Sequence, residues 1–259
     1  MLIGVCRQCK VVFRKREAIR KFCSLKCANS FNINGIHNIT LPSLDENLAE
    51  FIGICLGDGC TQKYQTTITL NKIVDREYSH YVENLAKKLF TSEAVSLNEN
   101  FNPKIIRVCI NSKIATDFLK KHGIIANKKT IPNWILENQK YRKHCIRGLF
   151  DTEGSISYKL YLGKKTRSLY KQLNFRNADI KLMQFVRDTL LELDFRATTT
   201  LKRSLYLSSN KEIDRFRVEI GFSNAKLEKR SKIYDYEQLT LLIKQPIGRD
   251  AGVGLSSSS

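Results

Sequence analysis

The chain has 259 residues, 42% of them hydrophobic, enough for one large domain or two to three smaller ones with a sizeable buried core. Lys and Arg number 44 against 25 Asp and Glu, a formal net charge of +19. That self-repulsion is relieved by a polyanion, and with no basic amphipathic helix standing out, nucleic acid is expected rather than a membrane. No apolar run approaches the roughly 18 residues of a membrane span. Arg7 and Lys10 interrupt the start, where a secretory signal would be apolar. The expected setting is intracellular, the cytoplasm of a prokaryote or an organelle, and not secreted.

Residues 1–31 carry Cys6-Arg7-Gln8-Cys9 and Cys23-Ser24-Leu25-Lys26-Cys27. Two close pairs of this kind can give four thiolates to a tetrahedral Zn²⁺, and so short a segment has too little core to fold without one. Phe22-Cys23-Ser24 running on to Ala28-Asn29 looks like the helix of a treble-clef or ribbon finger. Arg14, Lys15, Arg16, Arg20 and Lys21 lie between the pairs and suit a phosphate backbone. The other cysteines, Cys55, Cys60, Cys109 and Cys145, read as reduced core residues. A polar link follows from Asn32 to Pro42.

From there the chain repeats itself. Ser43 as N-cap with Glu46 three residues on, then Leu44, Leu48, Phe51, Ile52 and Cys55, predicts a helix that stops at Gly59. Thr67–Asn71 alternates as a strand with Ile68 and Leu70 inward. Val82, Leu85, Leu89 and Phe90 mark a helix, Ile106, Val108 and Ile110 a strand, and Ala115–Lys121 a short helix. The second copy keeps this order. A helix ends at Gly154, and strands run over Ser155–Tyr161 and Leu169–Phe175. A helix carries Met183, Val186, Leu190 and Leu193, and a strand holds Phe216, Val218, Ile220 and Phe222. A basic helix near Lys226–Tyr236 closes it. Arg107-Val108-Cys109-Ile110 and Arg217-Val218-Glu219-Ile220 look like one strand written twice, which makes the second copy the longer. From Pro246 the sequence turns Gly- and Ser-rich and reads as a flexible tail.

Both copies end their first helix alike, in Gly53-Ile54-Cys55-Leu56-Gly57-Asp58-Gly59 and Gly148-Leu149-Phe150-Asp151-Thr152-Glu153-Gly154. Small residues four apart lie on one helix face and let two backbones approach. The final glycine predicts a positive-φ helix end. An acid in the last turn opposes the helix dipole by about 0.3–1 kcal/mol, and packing the two helices together would bring Asp58 beside Glu153 at further cost. A cation such as Mg²⁺, bound through one or two carboxylates and substrate phosphate oxygens, would offset both. Asp151 has no acidic match at Leu56 and reads as part of a polar network.

These two segments, extended to Phe51–Gly59 and Ile146–Gly154, resemble the paired motifs of the single-chain LAGLIDADG homing endonucleases, as does Ile131-Pro132-Asn133-Trp134 ahead of the second. The resemblance spans about residues 43–240. It departs from the family pattern at Leu56, where an acid is common, and at Glu153, where Asp is more usual. It implies an α+β fold: two pseudo-symmetric αββαββα halves, 43–140 and 141–245, forming a DNA-binding saddle. The zinc-finger-like module precedes them and the tail, 246–259, follows. It also implies Mg²⁺-dependent, site-specific hydrolysis of both strands of duplex DNA by a monomer serving intron homing. Asp58 and Glu153 would hold the catalytic metal, helped by the carbonyls of Gly57 and Thr152.

Strand alternation then puts Thr67, Thr69 and Asn71, with Tyr170, Gln172 and Asn174, on the face that meets base edges. Lys164, Lys165 and Arg167, in the loop around Gly163 and Thr166, would track phosphates. Arg107 and Arg217 are further phosphate contacts or, with Lys113, assistants to the cut. A non-cleaving regulator, or a maturase binding its own intron RNA, is the competing function.

Overall fold

We describe the chain from a computed structural model, which covers residues 2–15, 17–34, 39–126, 128–162, 167–200, 203–244 and 253–255. At the N-terminus, Leu2–Val5 (β1) and Val12–Lys15 (β2) form an antiparallel hairpin closed by Val5 opposite Val12. The turn beyond them holds Cys6 and Cys9, with Lys10 at φ 62°. Leu25–Asn34 forms α1 and brings Cys27 in its first turn.

The first half runs α2 (Glu46–Asp58), β3 (Gly59–Thr61), β4 (Thr66–Asn71), α3 (Arg76–Leu89), β5 (Val95–Asn102), β6 (Ile105–Ile110) and α4 (Lys113–Lys121). Its sheet is antiparallel in the order β3-β4-β6-β5. A short helix, α5 (Asn133–Leu136), leads into the second half: α6 (Gln139–Glu153), β7 (Gly154–Leu162), β8 (Arg167–Arg176), α7 (Ile180–Glu192), β9 (Thr198–Thr200), β10 (Ser204–Leu207), α8 (Asn210–Glu219), α9 (Ala225–Ser231) and α10 (Tyr236–Lys244). Val253–Leu255 forms β11, and the second sheet is ordered β11-β7-β8-β10-β9. Without β11 the two sheets have the same order, so the fold is α+β with two pseudo-symmetric halves, joined by the packing of α2 on α6.

Three sequence expectations change. The α2 cap is Asp45, whose carboxylate accepts from Leu48 N at 2.9 Å, and Ser43 lies outside the helix. Asp45 stands immediately before the first helical residue, where a carboxylate both satisfies a free N–H and suits the positive end of the dipole. The segment read as a strand through Phe216 and Ile220 is helix α8 and the turn after it. Ile213, Phe216 and Ile220 share its buried side while Val218 is 76% exposed, a helical period that an alternating reading of a short apolar run can mimic. The counterpart of β6 in the second repeat is β10. Gly59 pairs with Ile68 and Ile68 with Val108, and the same ladder in the second half joins Gly154, Phe175 and Leu205. The two halves are then nearly equal in length from Gly59 to Val108 and from Gly154 to Leu205, because the longer β7–β8 hairpin, of 9 and 10 residues against 3 and 6 for β3 and β4, is offset by a shorter path from β8 to β10. Within the expected tail, Val253–Leu255 pairs in parallel with Tyr158–Leu160, covering an edge of β7 that would otherwise present unpaired backbone. The rest of that tail lies outside the described residues.

Candidate active site at the paired helix ends

Helices α2 and α6 meet backbone to backbone. A Cβ on Gly53 would stand 2.1 Å from Cys145 O, and one on Gly148 would stand 2.3 Å from Glu50 O. Nothing larger than hydrogen fits at either crossing, which is what small residues four apart allow. Gly59 and Gly154 play a different part from the one their sequence suggests. Their φ,ψ values, −83°,146° and −84°,155°, are extended. Each donates its N–H to the helix (Cys55 O and Phe150 O) and starts a strand so close to the last turn that a Cβ would come within 2.6 or 2.3 Å of it. Glycine is required there by close approach.

Asp58 and Glu153 are the last residues of α2 and α6. Burial, then Glu153 and Asp75, push the Asp58 carboxyl up to about 7, against the pull of Lys129 and Lys226. Burial likewise raises Glu153, and Lys129 opposes it. These two lysines were not singled out by sequence. Lys129 Nζ donates to Leu56 O at 3.0 Å and Gly57 O at 2.9 Å, neutralising the negative end of α2. Lys226 Nζ lies 2.9 Å from Asp75 Oδ1. They occupy matching places: each follows a positive-φ glycine, Gly123 (86°) or Gly221 (82°), just past the helix that succeeds β6 or β10. Aligning the repeats through β6 and β10 would have paired them; aligning through the false strand hid the match.

Asp151 is buried two residues before Glu153, on another side of α6, and its carboxylate accepts from Ser223 N at 2.9 Å and Asn224 N at 3.1 Å. Burial pushes it up to about 8 while these N–H groups pull it down. A second buried acid, Glu50 on α2, accepts from Tyr81 Oη and Ser223 Oγ, both at 2.6 Å, and pairs with Arg147 of α6 at 3.3 Å. Burial opposes its ionisation, but hydrogen bonds from His144, Ser223 and Tyr81 and the charge of Arg147 hold it below the usual range. The polar network expected around Asp151 therefore spans both halves.

On the sheets, Thr67 and Thr69 are half-buried and Asn71 is exposed, on the face opposite Ile68 and Leu70. Asn71 is partly engaged, its Oδ1 accepting from Ile73 N and Val74 N. Tyr170, Gln172 and Asn174 share the corresponding face of β8, opposite buried Leu173 and Phe175. Arg107 sits in β6 opposite Thr69, on that same outward face. Arg217 does not: it is on α8, beside Lys171 and Tyr234 on the helical side of the sheet. Lys113 forms an ion pair with Asp117 one turn on. Lys164 and Lys165, and the side chain of Arg167, lie outside the described residues.

The sulfurs of Cys6, Cys9, Cys23 and Cys27 lie within 4.8 Å of one another, and all four thiols are free. Burial opposes ionisation of Cys6, yet backbone N–H groups of Cys9, Cys23 and Gln8 bring it down to about 6. The Cys27 and Cys9 thiols, and burial, push Cys23 up to about 12. Cys6 thus ionises readily and Cys23 does not, as expected of thiols crowded together.

With the paired ends in place, comparison with known proteins is decisive for residues 140–221, which match the family model of a LAGLIDADG-like domain. The chain carries a LAGLIDADG-like domain. Its fold is that of the single-chain LAGLIDADG homing endonucleases. It superposes on I-WcaI bound to its DNA recognition sequence with a TM-score of 0.51, at 15% identity, covering 82% of this chain and 94% of that one. I-DmoI in complex with DNA and Ca is similar at 17% identity and a TM-score of 0.45, over 76% and 97% of the two chains. Among curated proteins, the replication factor C small subunit of Methanocaldococcus jannaschii is 25% identical over 204 residues. This match takes in 76% of the present chain and 11% of the relative, so the chain spans about a tenth of that protein's length.

Proposed function

We propose that this LAGLIDADG-type protein is a site-specific endonuclease that, as a monomer, cuts both strands of duplex DNA with Mg²⁺, in an intracellular setting and in the service of intron homing. The observation that carries the proposal is the burial of Asp58 and Glu153 side by side, at the negative ends of two packed helices, with Lys129 and Lys226 beside them. Acids held above their ordinary range, both by burial and Asp58 also by Glu153 and Asp75, fit a hard divalent cation, whose binding would remove these costs. When bound, such an ion supplies Lewis-acid stabilisation of the charge that develops on a phosphate in flight.

The chain's own residues do the rest. Asp58 and Glu153 hold the ion, with the Gly57 and Thr152 carbonyls as further oxygen donors. Lys129 and Lys226 put positive charge where the phosphate oxygens become more negative. Arg107 and the polar residues of β4 and β8, from Thr67, Thr69 and Asn71 to Tyr170, Gln172 and Asn174, face the grooves and read the site, while Lys164, Lys165 and Arg167 add phosphate contacts. A net charge of +19 supports a nucleic-acid partner. In residues 1–31, Zn²⁺ held by Cys6, Cys9, Cys23 and Cys27 orders a basic finger against the flanking DNA.

The test measures binding and cutting separately on a duplex recovered from a random-sequence library by the wild-type protein with Mg²⁺. Asp58→Asn and Glu153→Gln should each lose cutting by several powers of ten while binding holds or tightens, since each removes a negative charge near phosphate. Undiminished cutting by the double variant sinks the metal assignment. Binding by the wild type with no cutting hands the protein to the class of non-cleaving regulators or maturases.

A further inference from the structure

The two lysines occupy matching places but are anchored differently. Lys226 belongs to α9, and Asn224 caps that helix by accepting from Lys226 N at 3.1 Å. Asn224 is itself fixed at three points on its neighbours: its N–H on Asp151 Oδ1 at 3.1 Å, and its Nδ2 on Asp151 O at 3.1 Å and on Asp75 Oδ1 at 3.3 Å. Ser223 N adds the second oxygen of Asp151 at 2.9 Å. The buried carboxylate thus fixes two successive backbone N–H groups at the start of the helix from which Lys226 reaches toward Asp75 and Asp58. On the other side, Leu56 stands where Asp151 stands in α6, and its apolar side chain can accept nothing. The segment bearing Lys129 is held instead by Thr61 Oγ1 donating to Ile124 O at 2.8 Å and by Thr130 N donating to Gly123 O at 2.9 Å.

We propose that Asp151 is a positioning residue for only one of the two strand cuts: through Ser223 and Asn224 it sets Lys226 at the Asp58 side of the site, while Lys129 is set without a carboxylate. The inference rests on the endonuclease reading above and on the two lysines acting at separate scissile phosphates. An anchor behind a reacting group typically contributes about 10–100-fold. Losing it on one side alone makes the enzyme a nicking enzyme.

The full-length protein is assayed under single-turnover conditions with Mg²⁺, on the library-derived duplex with each strand labelled separately. Asp151→Asn should slow one strand by about 10–100-fold and leave the other within about twofold, so that nicked DNA accumulates. Lys226→Met should slow that same strand, and the double variant should be no slower than Lys226→Met, because both changes remove one function. Lys129→Met should slow the opposite strand. Should Asp151→Asn fail to fold, Asn224→Ala removes the cap on Lys226 N without opening a buried charge, and it should show the same strand bias. Equal slowing of both strands by Asp151→Asn, or additive losses with Lys226→Met, overturns the inference. If Lys226→Met slows one strand and neither Asp151→Asn nor Asn224→Ala does, the positioning role alone fails. If the wild type does not cut, or Lys226→Met leaves both strands untouched, the reading beneath it fails as well.

Discussion

Gly57 lies directly against Thr152: a methyl group on its Cα would stand 2.1 Å from Thr152 Oγ1 and 3.3 Å from the Glu153 Cγ. The spacing of the two acids is therefore set by a glycine. Gly57→Ala must push Thr152 out of its hydrogen bonds to Gly148 O and Leu149 O or spread the helices, at an expected cost of about 1–3 kcal/mol. Thr152→Ala should recover part of that loss in chemical denaturation, because it removes the nearer clashing atom, Oγ1, while the Cβ at 2.8 Å remains. Gly53→Ala should cost more, with no side-chain rescue, since its Cβ meets the backbone oxygen of Cys145 at 2.1 Å. Equal midpoints for the two alanine variants would show that the helices yield freely here.

The helix pair was legible in the sequence because close packing leaves a residue-level mark, glycine and small residues four apart, twice over. The strand faces were legible for a similar reason: Ile68 and Leu70, or Leu173 and Phe175, leave one side for water or DNA. The second half misled after Leu207. Phe216, Val218, Ile220 and Phe222 alternate, and only Ile213 further back betrays a helical period. That error displaced the repeat alignment and with it Lys129 and Lys226, which carry no motif of their own. Their place beside the two acids arises from where distant segments return to the helix ends, a long-range property of the fold. Glu50 and the partners of the network expected around Asp151 were hidden for the same reason, since Tyr81, Ser223 and Asn224 come from distant segments.

Glu50 tests how firmly the halves are clasped. It is buried on α2 and takes hydrogen bonds from α3 and from the segment after α8, with Arg147 of α6 as its ion-pair partner. Glu50→Ala leaves Arg147 half-buried without its carboxylate and two hydroxyls without their acceptor. Removing one partner of such a pair typically costs about 3–5 kcal/mol, so the denaturation midpoint should fall steeply. Glu50→Gln should lose less, because the amide oxygen still accepts from Tyr81 and Ser223. A loss below about 1 kcal/mol for Glu50→Ala would reclassify the network as a weak surface pair.

The four thiols of the N-terminal module predict about one zinc per chain in protein purified without chelator. Cys23→Ser, or a strong chelator, should unfold residues 1–31 and weaken DNA binding. It should leave the single-turnover rate on saturated DNA unchanged, since Asp58 and Glu153 belong to a separate core. The affinity lost should also shrink as salt rises, because Arg14, Lys15, Arg20 and Lys21 act through phosphates. A metal-free protein whose module stays folded and binds DNA normally would overturn the assignment.

The last prediction concerns pH and the metal together. Asp58 ordinarily titrates near 3.8, and burial with Glu153 and Asp75 lifts it to about 7 in the folded protein. A raised acid means that the folded state holds its proton more tightly than the unfolded chain does. Between those two values stability must fall as pH rises, and above the higher one the loss is complete. Glu153 shifts in the same direction and adds to the fall. Metal-free protein should accordingly show a lower Tm at pH 8 than at pH 5. Mg²⁺ binds the ionised pair and opposes that loss, so it should raise Tm more at pH 8 than at pH 5. Glu50, held below its usual range, loses its contribution only at more acidic pH and does not mask the effect. Asp58→Asn removes one titrating group and leaves Glu153 and Asp151, itself lifted to about 8, so its Tm should depend less on pH across this window without losing the dependence, and should respond little to Mg²⁺. Thermal melts of both proteins at pH 5 and pH 8, with and without Mg²⁺, decide it. Parallel pH slopes with equal Mg²⁺ responses would mean that Asp58 neither carries the raised proton nor holds the ion.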